Sequence, residues 1–91
     1  MKNNFNVVEK IYLNNELKEE LTSCFKDYQK SYEYITLKIF RYLEDILQTK
    51  EIDSFNLNGN GINFVITDSY YVDDELMKET IEFNINELSN E

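Results

Sequence analysis

The chain of 91 residues contains no histidine, no proline, two glycines and a single cysteine. Without histidine there is no imidazole to serve as general base, metal ligand or charge switch near neutral pH. Cys24 alone closes no intrachain disulfide and builds no thiolate metal site. It falls at helical spacing with Leu17, Leu21 and Tyr28, which predicts a buried, inert thiol. No apolar run approaches the roughly 18 residues of a membrane span. The opening residues, Met1 to Asn6, lack the apolar stretch of a signal peptide. One unpaired thiol fits a reducing, cytoplasmic setting. Phosphate-cradling glycine loops, nucleophile elbows and dinucleotide fingerprints are also missing.

Positive charge is scarce, and it is unevenly placed. Residues 1–50 hold eight acids and eight bases, whereas residues 51–91 hold ten acids and one base, Lys78. The second part therefore accounts for the whole formal charge of −9. Such a field repels nucleic acid and anionic membranes and attracts basic protein surfaces. Seven Tyr and six Phe within a 42% apolar composition are enough for a core, so residues 1–91 read as one folded domain.

Hydrophobic spacing predicts an α+β fold. Phe5, Val7, Ile11 and Leu13 alternate as an N-terminal strand would. Asn14 and Asn15 can cap a helix, with Glu16, Glu19 and Glu20 in its first turns. Leu17, Leu21, Cys24, Tyr28, Ile35, Ile39, Tyr42 and Ile46 continue the helical stripe, with no Pro or Gly between residues 15 and 50. One helix of that length would span about 50 Å. A domain this small has an expected radius of gyration of about 12 Å. A helical hairpin, or one long helix bent near Gln29 to Tyr34, resolves the conflict. Residues 36–48 are apolar on more than one side, so a second neighbour is expected to cover them. Asn58-Gly59-Asn60-Gly61 marks a tight hairpin, and Asp73-Asp74-Glu75 a second turn. Residues 55–57, 62–72 and 81–85 then form a three-stranded antiparallel meander packed on the helices.

Two arrangements of oxygen ligands invite metal readings. Asn56, Asn58 and Asn60 precede Gly61 as ligands precede glycine in a calcium loop. Amides stand where carboxylates belong, and Thr67 occupies the position of the bidentate Glu, so a hairpin is expected instead. Asp68, Asp73, Asp74, Glu75 and Glu79 could gather Mg²⁺ or Mn²⁺. Neighbouring strand residues point to opposite faces, however, and a turn tip is a poor scaffold for metal catalysis. No metal, cofactor or catalytic residue is assigned. Eighteen acids make chance carboxylate pairs unavoidable, so acid–base chemistry has no specific support.

The expected function is non-enzymatic protein binding. Asp68, Tyr71, Asp73, Asp74, Glu75, Glu79 and Glu82 form the predicted partner-binding set, with Tyr71 as an aromatic anchor. They would occupy the basic, nucleic-acid-binding groove of a nuclease or similar enzyme as a nucleic-acid mimic, without binding nucleic acid or membrane. In profile, as a small acidic domain without a catalytic motif, the chain resembles phage-encoded anti-CRISPR and anti-restriction proteins. An immunity protein or antitoxin opposing a basic toxin is the nearest alternative. A structural or oligomeric component is the other, using Ile39, Tyr42 and Ile46 as a homodimer interface.

Overall fold

The computed structural model describes residues 4–88 as a five-stranded antiparallel sheet with one helix across one face. The strands are β1 (Phe5–Leu13), β2 (Glu16–Phe25), β3 (Glu51–Gly59), β4 (Asn63–Val72) and β5 (Glu75–Glu87). The helix α1 (Tyr28–Thr49) connects β2 to β3. Strand order is β2-β1-β5-β4-β3, so the first strand pairs with the last. That pairing sets Val7 against Ile85, Glu9 against Phe83 and Ile11 against Ile81.

This architecture overturns the expected helical hairpin or bent helix, and with it the sheet of one N-terminal strand plus a three-stranded meander. Residues 16–25 are a strand hydrogen-bonded to β1. Asn14 and Asn15 have φ of 50° and 68°, which makes them a two-residue hairpin turn and not a helix cap. Asparagine tolerates this left-handed backbone, and two such residues match the twist of a hairpin. The apparent stripe in this segment was coincidental. Leu21 lies opposite Glu9 on the helix-covered face, Cys24 lies opposite Asn6 on the other, and Leu17 lies opposite Tyr12 beyond a bulge. Cys24 is accordingly exposed and not a core residue. Strand pairing with β1 has overridden a favourable helical composition.

With the helix beginning at Tyr28, the length conflict disappears. Its 22 residues run about 33 Å without a break. Asp27 is the true N-cap: its Oδ1 accepts from the Lys30 amide at 2.9 Å, while Ser31 Oγ donates to its carbonyl at 3.1 Å. The molecule is longer than a compact estimate predicts, with a radius of gyration of 14.7 Å and a longest dimension of 53 Å.

The core lies between α1 and the sheet. Ile35 sits fully buried over Val7, Ile66, Ile81, Phe83 and Ile85, with Ile39 and Tyr42 packed against the same cluster. Alternation along β4 and β5 places Ile66, Ile81, Phe83 and Ile85 on this one face. Glu9 is buried there too, and Lys38 reaches it from the helix at 3.5 Å. The opposite face is polar, which is why it tolerates solvent. Asn63 Nδ2 donates to Asn84 Oδ1 at 2.7 Å, and Asn86 Nδ2 to Asn6 Oδ1 at 3.0 Å.

The first predicted hairpin turns at the second Asn-Gly pair of the Asn58–Gly61 run. Gly61, not Gly59, takes the positive φ, at 95°. Asn60 Oδ1 accepts from the amides of Ile62 and Asn63 at 3.1 and 2.8 Å, closing the turn. Gly59 is needed for space: a Cβ there would stand 2.6 Å from the Phe64 ring.

Chemical denaturation checks this core. Ile35→Ala removes a fully buried side chain and should cost about 2–5 kcal/mol. Leu37→Ala, on the exposed flank of the same helix, should change stability by less than about 0.5 kcal/mol. Equal losses at both positions would contradict the packing described.

Candidate functional site

The helix and sheet divide the predicted binding residues into three separate environments. Asp68 is completely buried beneath α1, and Glu79 is half-buried beside it. Glu82 lies on the polar face, opposite Lys10 on β1 and Val65 on β4. Asp73 and Asp74 form the exposed β4–β5 turn, with φ of 50° and 66°, and Glu75 follows as the first residue of β5. Tyr71 is exposed while its neighbour Tyr70 is buried, as strand alternation requires.

The proposed homodimer residues are also relocated. Ile46 is buried, and Ile39 and Tyr42 face the chain's own sheet. That face of the helix is occupied from within. The exposed large apolar residues of α1 are Tyr28, Tyr32, Leu37, Phe40 and Leu47.

Two features remain as sites. The first is an acidic end of the molecule. Register sets Glu51 of β3 opposite Tyr71 of β4, and the Asp73-Asp74 turn follows one residue beyond. Asp53 projects from a bulge in β3, with Oδ2 accepting from Ser69 Oγ at 3.1 Å and Oδ1 lying 3.5 Å from the Tyr71 hydroxyl. Glu51, Asp53, Asp73, Asp74 and Glu75 thus gather at the end of the sheet that carries the exposed Tyr71, with Glu51 and Asp53 beside it. Glu51 and Asp53 were absent from the predicted set. Their signal was the pairing register, which sequence separation conceals.

The second is a polar cluster inside the protein. Tyr42 reaches across from α1 to Asp68 Oδ1 on β4 and to Glu79 Oε1 on β5, the latter at 2.5 Å. A phenol carries one hydrogen, so it donates to one carboxyl only. The other contact requires a protonated carboxyl that donates back to the phenol oxygen. Asp68 fits that role. Burial raises its pKa above the ordinary value of 3.8, and the Glu79 charge adds to the rise, while the Tyr42 hydrogen bond and Lys50 oppose it. Asp68 Oδ2 has no hydrogen-bond partner, which makes a full negative charge there costly. Tyr42 is likewise pushed upward, first by burial and then by the two acids, so it stays a neutral donor. The cluster can hold a proton, but only from within the core.

Nothing in this geometry gathers a metal. Among the described residues, no group of three or more Cys, Asp or Glu side chains could hold an ion. Among the same residues, no helix is long and apolar enough to cross a membrane. No protein-family model, curated protein or solved structure matches the chain.

The upward shift of Asp68 gives stability a defined pH dependence. Because the folded-state pKa of Asp68 is raised, its favourable contribution is complete below about pH 4 and is lost as pH rises through the folded value. Asp68→Asn keeps the shape without the charge. In thermal melts the Tm of this variant should gain on the wild type as pH rises from about 4 to 8. A constant Tm difference across that range would show that Asp68 is not the proton holder.

Proposed function

We propose that the protein is a non-enzymatic binding protein whose acidic end occupies a basic groove on a partner, of the kind that grips nucleic-acid phosphates. One observation carries the reading. Three strands bring Glu51, Asp53, Asp73, Asp74 and Glu75 to the same end of the sheet as the exposed Tyr71. Carboxylates presented on strand ends can pair with the Lys and Arg side chains that would otherwise hold phosphate oxygens. Tyr71 adds a rigid apolar body with a polar tip, the type of side chain that anchors interfaces. Asp68 and Glu79, expected to share this surface, are set aside from it by burial, and Glu82 by its place six residues further along the strands, opposite Val65 and not Tyr71.

The β4–β5 turn supports the same reading mechanically. Its left-handed aspartates are held by a two-residue hairpin, so the charges are presented with little freedom to lose on binding. Exposed Val72 and Leu76 flank the turn and supply apolar contact beside the charge. The profile is that of a small inhibitor of a nuclease or other nucleic-acid-processing enzyme.

Capture on the immobilised protein, from a host lysate at low and high salt, tests the reading. Basic nucleic-acid-binding proteins should be retained at low salt and released at high salt. The triple variant Asp73→Asn, Asp74→Asn, Glu75→Gln should reduce retention of the captured partner at least tenfold while leaving the melting curve close to wild type. Undiminished retention by the variant would refute an acidic docking end.

A further inference from the structure

We infer that β3 is a self-pairing edge, through which two copies of the chain join in antiparallel register to form one ten-stranded sheet. The inference concerns the uncharged stretch of β3 that follows Glu51 and Asp53, which belong to the acidic end.

The sheet has two edges, and they are built differently. The β2 edge carries Glu16, Lys18, Glu19 and Glu20, with Lys18 and Glu16 paired at 3.3 Å. Charged edge strands, lysine above all, resist pairing with other chains. The β3 edge from Ser54 to Gly59 has no charge and no proline. It is bonded to β4 on one side only, which leaves a row of backbone donors and acceptors facing outward.

The side chains of β3 separate by face. Phe55 and Leu57 point to the helix side, where they are 40% and 45% exposed, while Ser54, Asn56 and Asn58 point to the polar side. Beside them runs a groove of about 560 Å³ between α1 and the sheet, lined in part by Phe40, Leu43, Leu57 and Phe64. Phe40 and Leu47 stand outward along the same helix at 61% and 71% exposure. A partner strand added to β3 would continue the sheet beneath this apolar flank.

Two arguments identify the occupant as a second copy. The first is symmetry of pattern. A two-fold axis at Asn56 sets Phe55 of each copy opposite Leu57 of the other, so all four apolar side chains meet on the helix side. Charge is the second argument. In this antiparallel arrangement the acidic start of β3, with Glu51 and Asp53, runs toward the uncharged turn that follows Gly59 in the other copy, so acids do not meet acids. Parallel pairing would stack acid on acid. The exposed parts of Phe40, Leu47, Phe55 and Leu57 amount to on the order of 400 Å² per copy. With the strand backbones included, the pair reaches about 1,000 Å², where specific interfaces begin.

Sedimentation over a concentration series from about 1 to about 200 µM reads the assembly directly. The expected species at the upper end has twice the 10.9 kDa chain mass. Leu57→Lys, a charge aimed across the axis, should weaken it at least tenfold, with circular dichroism confirming the fold. A disulfide test fixes the register in a Cys24→Ser background. Asn56→Cys should cross-link two copies under mild oxidation, and Thr22→Cys on the β2 edge should not. A chain that stays monomeric throughout overturns the inference. So does a dimer unaffected by Leu57→Lys, or one cross-linked through Thr22→Cys and not Asn56→Cys.

Discussion

The pairing of β1 with β5 is the constraint on which the molecule depends. It joins residues from opposite ends of the chain, with Phe5 against Glu87 at one limit and Leu13 against Glu79 at the other. Without it there would be an N-terminal hairpin and a C-terminal three-stranded sheet, each with half a core. With it, Val7 and Ile11 lie beside Ile81, Phe83 and Ile85 on one surface wide enough for α1. Asn14 secures the far end of the seam. Its amide donates to the Lys78 carbonyl at 2.7 Å, and its side-chain oxygen accepts from the Lys78 amide at 3.0 Å.

Everything else follows from which face α1 takes. The covered face receives the apolar half of each strand and, with it, two acids whose burial must be compensated. Glu9 meets Lys38, and Asp68 meets Tyr42. These contacts tie the helix to β1 and β4 at fixed points along its axis, where apolar packing alone would allow sliding. Withdrawing Asp68 and Glu79 into the core also thins the charge of the C-terminal strands. The acids left outside gather at the end where β3 begins and β4 turns into β5.

The sequence made some of this legible and concealed the rest for identifiable reasons. Alternation at Phe5, Val7 and Ile11 and at Ile81, Phe83 and Ile85 marks strands with one buried face, and both segments are strands. Leu17, Leu21 and Cys24 misled because β2 is an edge strand exposed along most of its length. Such a strand needs no apolar face, so its spacing carries no information about period. Asn14-Asn15 was ambiguous because asparagine serves both helix caps and left-handed turns. The acidic end was half visible: Asp73, Asp74 and Glu75 are contiguous, whereas Glu51 and Asp53 join them only through the β3–β4 register. Alternation with Phe64, Ile66 and Tyr70 puts Asp68 on the covered face, but a carboxylate at that position reads as a solvent-facing residue until its partner is known. Its burial depends on Tyr42, 26 residues away.

Native-state hydrogen exchange tests the central seam most directly. The amides hydrogen-bonded across the β1–β5 seam, those of Val8, Lys10, Glu82 and Asn84, should exchange last and together, at the free energy of global unfolding. If the β1–β2 hairpin instead lost protection as a separate unit while β3, β4 and β5 stayed closed, the seam would not be what holds the fold together.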